Sequence, residues 1–151
     1  MIQLLTYQEF KSKADFTDNV SADRFNKYEK MSEETYLRDL IGSELVTKLK
    51  NELYSELLPY VKNCLAHECE LYFIQTGNVI GTGIGAIQRN PANAQQSEWV
   101  DKQNKIDAIK TILRRYEEQL REVISAGDYT GYNDDVAITK KINFTIHSIG
   151  D

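Results

Sequence analysis

The stretch YLRDLIGSELVTKL, residues 36–49, decides how this chain folds. Its apolar residues recur three and four positions apart on both sides of a glycine, as in two helices that meet at a corner. Gly42 is predicted to end the first helix in the left-handed conformation, because a glycine has no Cβ to clash there. Ser43 is predicted to cap the second helix. The buried stripe of that helix is predicted to be Leu45, Leu49 and Leu53.

The composition is that of one soluble globular domain. A length of 151 residues, with 41% hydrophobic and 27% charged residues, is ordinary for such a protein. No apolar run reaches about 18 residues, and the first residues lack the basic and apolar regions of a signal peptide, so neither a membrane span nor export is expected. The net charge of -5 argues against a protein that coats nucleic acid, although it is compatible with one that surrounds DNA without gripping it.

Capping signals divide the first forty residues into two helices. Thr6 and Glu9 have the spacing of a capping box, which predicts a short helix directly after it. Ser21 is predicted to cap a second helix over residues 22–41, with one stripe of large side chains at helical spacing. A split of this helix at Met31 is the alternative, and we favour the single helix.

Two longer helices follow, separated by an unusual segment. Pro59 suits the first turn of a helix that runs to about Gln75. Residues 78–97 are rich in glycine, with short β-compatible pieces at 79–87, and a loop of that length is typical of a functional segment. Ser97 is predicted to cap the longest helix, about residues 98–126, which at ~43 Å exceeds what one domain needs. The apolar stripe of this helix is Val100, Ile106, Ile109, Ile112, Leu113, Tyr116, Leu120, Val123 and Ile124.

The C-terminal residues from Val136 to His147 alternate between apolar and polar side chains, with an interruption at Lys140, which predicts a long, half-buried β-strand. The chain offers it little to pair with besides the 79–87 piece, so strand addition to another chain is expected. Trp99 is a further candidate anchor, since tryptophan is enriched at interfaces. The predicted interface residues are Val136, Ile138, Ile142, Phe144, Ile146, Val79, Ile80, Ile84, Ile87 and Trp99.

These elements together predict a mainly α protein, a bundle of roughly four to five helices with a small β element and a long C-terminal strand. Residues 1–127 are predicted to form the helical domain, with 78–97 as a loop insertion. Residues 128–151 are predicted to form an extended arm.

Residues of the types used in catalysis have simpler interpretations here. The glycines of residues 81–85 lack the pattern of a phosphate-binding loop and favour a flexible hairpin. Cys64 and His67 share a helix face but Cys69 does not, so a closed zinc site and a disulfide are disfavoured. A nucleophile pair of Cys64 and His67 is disfavoured because no oxyanion loop is evident and the thiol is expected to be buried. Burial in the helix is expected to raise the pKa of the Cys64 thiol. We predict no catalytic residue, no cofactor and no metal site.

Charged side chains are predicted to lie on solvated faces. The pairs at residues 33–34, 117–118 and 134–135 are adjacent, so their carboxylates diverge and do not form an acid–base pair. The long helix carries charges of both signs, which indicates an exposed or subunit-facing surface rather than a nucleic-acid stripe.

Four predicted elements together resemble a known family. They are the opening helix that runs into YLRDLIGSEL, the helix with Leu49 and Leu53, the helix from Pro59, and the long helix after a loop with Pro91 and Ala92. Residues 20–127 are similar to the head–tail connector proteins, also called adaptor or head-completion proteins, of tailed bacteriophages. The C-terminal β-rich extension departs from the smaller members of that family.

The resemblance implies a structural virion subunit, made in the host cytoplasm and located at the head–tail junction. About a dozen copies would form a ring with cyclic symmetry under the portal protein. The ring would also contact tail or further adaptor proteins and continue the channel through which DNA passes without specific binding. The long strand would clasp a neighbouring subunit, and the 78–97 loop would dock to portal or tail.

Two other functions are compatible with the residues. One is a bacterial helical adaptor that clasps a protein partner through residues 134–149. The other is an enzyme built around Cys64 and His67, which the sequence favours least.

Overall fold

The computed structural model describes residues 1–14, 20–76 and 91–132, and for residues 76 and 91–99 the helical backbone alone. The described chain is mainly helical, which confirms the predicted fold class at that level, and it contains no strand. The predicted β elements at 79–87 and after residue 133 lie outside the described residues. The helices are α1 (Tyr7–Lys13), α2 (Ala22–Ser32), a π-helical turn (Glu33–Leu37), α3 (Arg38–Ile41), α4 (Ser43–Lys50), a 3-10 helix (Ser55–Leu57), α5 (Leu58–Thr76) and α6 (Pro91–Ala126).

The capping predictions at Thr6 and Ser21 are confirmed. The hydroxyl of Thr6 accepts from the amide of Glu9, and the Glu9 carboxylate accepts from the amide of Thr6 at 2.9 Å. Ser21 caps α2 by accepting from the amide of Arg24. Residues 22–41 form one helical run, as predicted, but the run passes through the π-helical turn. Such turns concentrate at functional or strained places in helices.

The corner at Gly42 is present, although its details differ from those predicted. Gly42 has a positive φ of 91° but an extended ψ of 146°, so it is not a left-handed helical cap. That combination is essentially restricted to glycine. Gly42 itself precedes the first turn of α4, and Ser43 is already the first helical residue, so the predicted capping role of Ser43 is wrong.

Helix α4 ends earlier than its apolar stripe predicted. The amide of Glu52 donates to the carbonyl of Leu49, and the amide of Leu53 donates to the carbonyl of Lys48, both at 3.0 Å. These two bonds define a Schellman motif, which needs a left-handed residue before Leu53. Glu52 supplies it with φ 63°. Leu53 is consequently 53% exposed, and its predicted place in the buried stripe is wrong.

Helix α5 is the central helix of the fold. It packs most extensively against α6 on one side and against α1 and α2 on the other. A helix covered on several sides needs apolar residues around much of its circumference. Phe73 shows this arrangement, because its ring stacks on Phe10 at 5.7 Å and meets Tyr28 edge to face at 4.7 Å. Cys64 and Cys69 are both buried and both free thiols.

Helix α6 is longer than predicted and begins seven residues earlier. Residues 91–97, expected to be loop, are helical, and Pro91 is the first residue of the helix. Proline suits that position, because its missing amide would have no partner there. The 36 residues of α6 span ~54 Å. Most of its predicted stripe is buried or half-buried, but Val100 and Ile112 are 42% and 40% exposed, contrary to prediction.

The residues that follow α6 return to α4. Lys48 Nζ donates to the carbonyl and hydroxyl oxygens of Thr130, at 3.0 and 2.6 Å. The rings of Tyr54 and Tyr129 meet edge to face, with centroids 5.1 Å apart. The start of the predicted arm therefore lies against the helical body as far as residue 132. Among the described residues, no helix is long and apolar enough to cross a membrane.

Candidate functional site

The structure leaves the predicted interface largely outside its described residues. Residues 79–87 and 136–146, which hold nine of the ten candidates, are outside, and for Trp99 the helical backbone alone is described. The surfaces described below therefore come from the helical body.

The first third of α6 extends beyond the end of α5. His67 of α5 stacks on Tyr116 of α6 with ring centroids 5.3 Å apart, and the Tyr54–Tyr129 contact shows that the two helices run antiparallel. Thr76, the last residue of α5, is therefore level with about residue 107 of α6. Consistent with this, residues 100–105 contribute no buried side chain. This part of α6 has no cover from α5.

Ile112 is a further exposed apolar residue on α6. Residues three or four positions apart in a helix lie on the same side, which places Ala108, Arg115 and Tyr116 beside it. Tyr116 and Val123 are half-buried against the core, so Ile112 extends an apolar strip from the core to the surface. We call Ala108, Ile112, Tyr116 and Val123 the α6 strip.

The corner after α4 presents another exposed apolar side chain. Leu53 stands between Glu52 and Tyr54, whose φ angles of 63° and 59° are both left-handed. A non-glycine residue pays of order 1 kcal/mol for that conformation. The Tyr54 hydroxyl lies 3.1 Å from Thr130 Oγ1 and its ring contacts Tyr129, so the corner is fixed and Leu53 is held outward. We call Glu52, Leu53 and Glu56 the corner knob.

A polar cluster lies where the N-terminal segment crosses α2 at the π-helical turn. Glu29 and Glu33 are each only 4% exposed. Glu33 accepts from the amide of Leu4 at 3.3 Å, and Glu29 accepts from the amide of Leu5 at 3.4 Å. Lys50, from the end of α4, donates to the other oxygen of Glu33. Glu33 was predicted to be solvated, and that prediction is wrong.

The environment of Glu29 favours its protonated form at neutral pH. Burial, a hydrogen bond to Glu33 and repulsion by its charge raise the pKa of Glu29 to about 8. Glu29 is therefore protonated at pH 7 and donates to Glu33, whose charge is met by Lys50. An open cleft of about 470 Å³ begins beside this cluster and is lined by side chains of both charges. The cluster joins the N-terminal segment, α2 and α4.

The buried residues of the α5–α6 layer form separate contacts instead of one catalytic pair. His67 Nδ1 lies 2.9 Å from Glu70 Oε2. Tyr36 donates from its hydroxyl to Glu117 at 2.8 Å, and Cys64 hydrogen-bonds to Tyr36. Burial and the nearby Glu117 raise the pKa of the Cys64 thiol to about 12, which confirms the predicted direction and keeps the thiol protonated.

The metal-ligand types in the sequence do not converge in the described part of the chain. There, no group of three or more histidine, cysteine, aspartate or glutamate side chains is positioned to hold a metal ion. Cys69 instead lies 3.6 Å from the hydroxyl of Ser32.

Sequence reasoning missed the Glu29–Glu33 pair because it considered adjacent carboxylates only. The signal was present, since the two residues are four positions apart and Glu29 follows Phe25 by the same interval. Both glutamates therefore lie on the buried side of the helix. The sequence contains no comparable signal for the exposure of Leu53, because the left-handed residue before it is a glutamate and not a glycine.

Comparison with known proteins adds no relative. No family model matches the sequence, and neither the curated proteins nor the solved structures provide a match.

Proposed function

We propose that this chain is a structural subunit that assembles into a ring under the portal of a tailed bacteriophage, joins head to tail and continues the DNA channel. The observation that carries the proposal is the part of α6 that α5 does not cover. A helix of 36 residues, of which residues 100–105 bury no side chain, exceeds the needs of its own domain. A neighbouring subunit would cover it.

Two further features support the proposal. Residues 20–127 resemble the head–tail connector family in the order and spacing of their helices. The net charge of -5 suits a channel through which DNA slides, since an acidic wall does not displace the counterions of the phosphates.

The test is native mass spectrometry of the full chain, first alone and then with the portal protein of a tailed phage. We expect a closed ring of about a dozen copies in at least one of the two conditions. A chain that stays monomeric, or forms only a small oligomer, and does not associate with the portal protein would overturn the proposal.

A variant without residues 134–151 separates the contribution of the helical body from that of the predicted arm. Loss of the ring with retention of helical circular dichroism would assign subunit clasping to the arm. An intact ring would show that the surfaces of the helical body are sufficient for assembly.

A further inference from the structure

We propose that the corner knob of one copy packs onto the α6 strip of the next copy, as the head-to-tail contact between neighbouring subunits. This inference rests on the proposed ring, and it names the two surfaces that meet. It follows from two exposed apolar side chains, Leu53 and Ile112, that lie far apart on the same chain and have neighbours of opposite charge.

The corner knob is apolar at its tip and acidic around it. Leu53 is 53% exposed, and Glu52 and Glu56 beside it are both exposed. Lys50 is also near in sequence, but it bonds to Glu33 in the polar cluster. The two left-handed residues fix the direction of Leu53 before any partner arrives. A rigid, pre-oriented apolar side chain binds at low entropic cost.

The α6 strip is apolar and has a basic border. The neighbours of Ile112 at three, four and seven positions are Lys105, Ala108, Ile109, Arg115, Tyr116 and Gln119, and none is acidic. Ile109 belongs to the core, and the exposed α6 side chains among these neighbours include the basic Arg115 and no acidic residue.

The two surfaces complement each other in charge and lie apart in space. Leu53 adjoins Tyr54, which contacts Tyr129 just after the end of α6, and Ile112 is 14 positions before the last residue of α6, which is ~21 Å along the helix. The corner knob of one copy therefore cannot contact the α6 strip of the same copy. Contact between two different surfaces is heterologous, and a heterologous contact that closes forms a ring. Acidic and basic borders would also set the register of the contact.

The experiment is reciprocal charge reversal, read by native mass spectrometry and by sedimentation at several concentrations. Glu52→Lys and Arg115→Glu should each raise the concentration needed for half-assembly about tenfold or more. Both changes in one chain should restore assembly toward the original concentration. Arg114→Glu is the matched control, because Arg114 is exposed on α6 but points away from Ile112.

Replacement of the apolar tips gives an independent test. Leu53→Ser and Ile112→Ser should each abolish the ring and leave a folded monomer by circular dichroism. An equimolar mixture of the two variants should give a dimer and nothing larger, because each copy retains one working surface.

The outcomes distinguish this inference from the proposed function. A ring that forms in the original chain and is unaffected by Leu53→Ser and Ile112→Ser would overturn the knob-to-strip contact and leave the ring itself in place. Failure of the double charge reversal to restore assembly would overturn the pairing of these two surfaces. Absence of any ring, alone or with the portal protein, would overturn both proposals.

Discussion

The polar cluster at Glu29 and Glu33 and the apolar surface at Leu53 and Ile112 are opposite departures from the usual distribution of residues. The cluster buries two carboxyl groups, whereas the surface exposes two large aliphatic side chains. The buried carboxyl groups find their partners within the chain, in two main-chain amides, a lysine and each other. Within the described part of the chain, the exposed side chains of Leu53 and Ile112 have no comparable cover.

We therefore expect the buried cluster to contribute to the stability of one chain and the exposed surface to contribute to association between chains. A buried charge is expensive unless it is bonded, so a completely bonded cluster acts as a tie between the segments that supply its partners. An exposed leucine costs its own chain little, and a single one needs no explanation. Leu53 is different because a strained backbone holds it outward, and Ile112 because it continues a strip from the core. Changes at the cluster should therefore affect folding, and changes at the surface should affect assembly.

The largest effect is expected from pH, through Glu29. A group whose folded pKa is raised, here from 4.5 to about 8, stabilises the fold below its unfolded pKa and loses that stabilisation as pH rises through its folded pKa. The free energy of unfolding should therefore fall between pH 4.5 and pH 8, by at most about 4–5 kcal/mol at 1.4 kcal/mol per pKa unit. Urea unfolding followed by circular dichroism across this range measures the fall.

Glu29→Gln should remove most of that pH dependence, because the amide can still donate to Glu33 and does not ionise. Glu34→Gln is the control, since Glu34 is exposed. Equal pH dependence in the Glu29→Gln variant and the original chain would contradict the raised pKa of Glu29.

Leu49 and Leu53 belong to the same predicted apolar stripe, so they allow a buried and an exposed leucine to be compared directly. Leu49 is fully buried, so Leu49→Ala should lower the free energy of unfolding by about 2–5 kcal/mol through lost transfer energy and a cavity. Leu53→Ala should change it by no more than about 0.5 kcal/mol, as surface substitutions do. Urea unfolding of the two variants under conditions that keep the chain monomeric provides the measurement. Similar losses in both would mean that Leu53 belongs to the core.

The helical order of this fold was predictable because its signals are local. The capping box at Thr6, the cap at Ser21 and the glycine at the corner each act within one helical turn, and each marks a helix boundary in the structure. The start of α6 was misplaced because Ser97 offered a cap as plausible as the true start at Pro91. Local signals therefore show that a helix begins or ends nearby more reliably than they decide between two possible boundary residues.

The polar cluster depends on contacts that sequence spacing alone does not supply. The amides of Leu4 and Leu5 come from 29 and 24 positions away, respectively, and Lys50 comes from another helix. Without those partners a glutamate on the buried side of a helix has no evident way to be satisfied. The solvated interpretation rested on the adjacency of Glu33 and Glu34 alone. The exposure of Leu53 likewise depends on a left-handed glutamate, which no propensity favours.

Glu33 and Glu34 test the cluster against its neighbour in sequence. Glu33→Ala removes a buried carboxylate, leaves the amide of Leu4 without its acceptor and leaves Lys50 unpaired. An unsatisfied buried donor and a partly buried charge should together lower the free energy of unfolding by about 2–3 kcal/mol. Glu34→Ala should change it by less than about 0.5 kcal/mol, because its contact with Lys30 is exposed. Urea unfolding near pH 7 measures both, and a cost at Glu34 equal to that at Glu33 would contradict the cluster.

The smallest effect, with the opposite sign, is expected at the corner that holds Leu53. Glu52 is left-handed with φ 63°, where glycine has no Cβ penalty, so Glu52→Gly should raise the free energy of unfolding by about 0.5–1 kcal/mol. Glu56→Gly, in the right-handed 3-10 turn, should lower it by a similar amount because glycine loses more freedom on folding. A destabilised Glu52→Gly variant would show that the Glu52 side chain itself stabilises the monomer. A stabilised Glu52→Gly monomer with weaker assembly would mean that the glutamate serves association at a cost to its own fold.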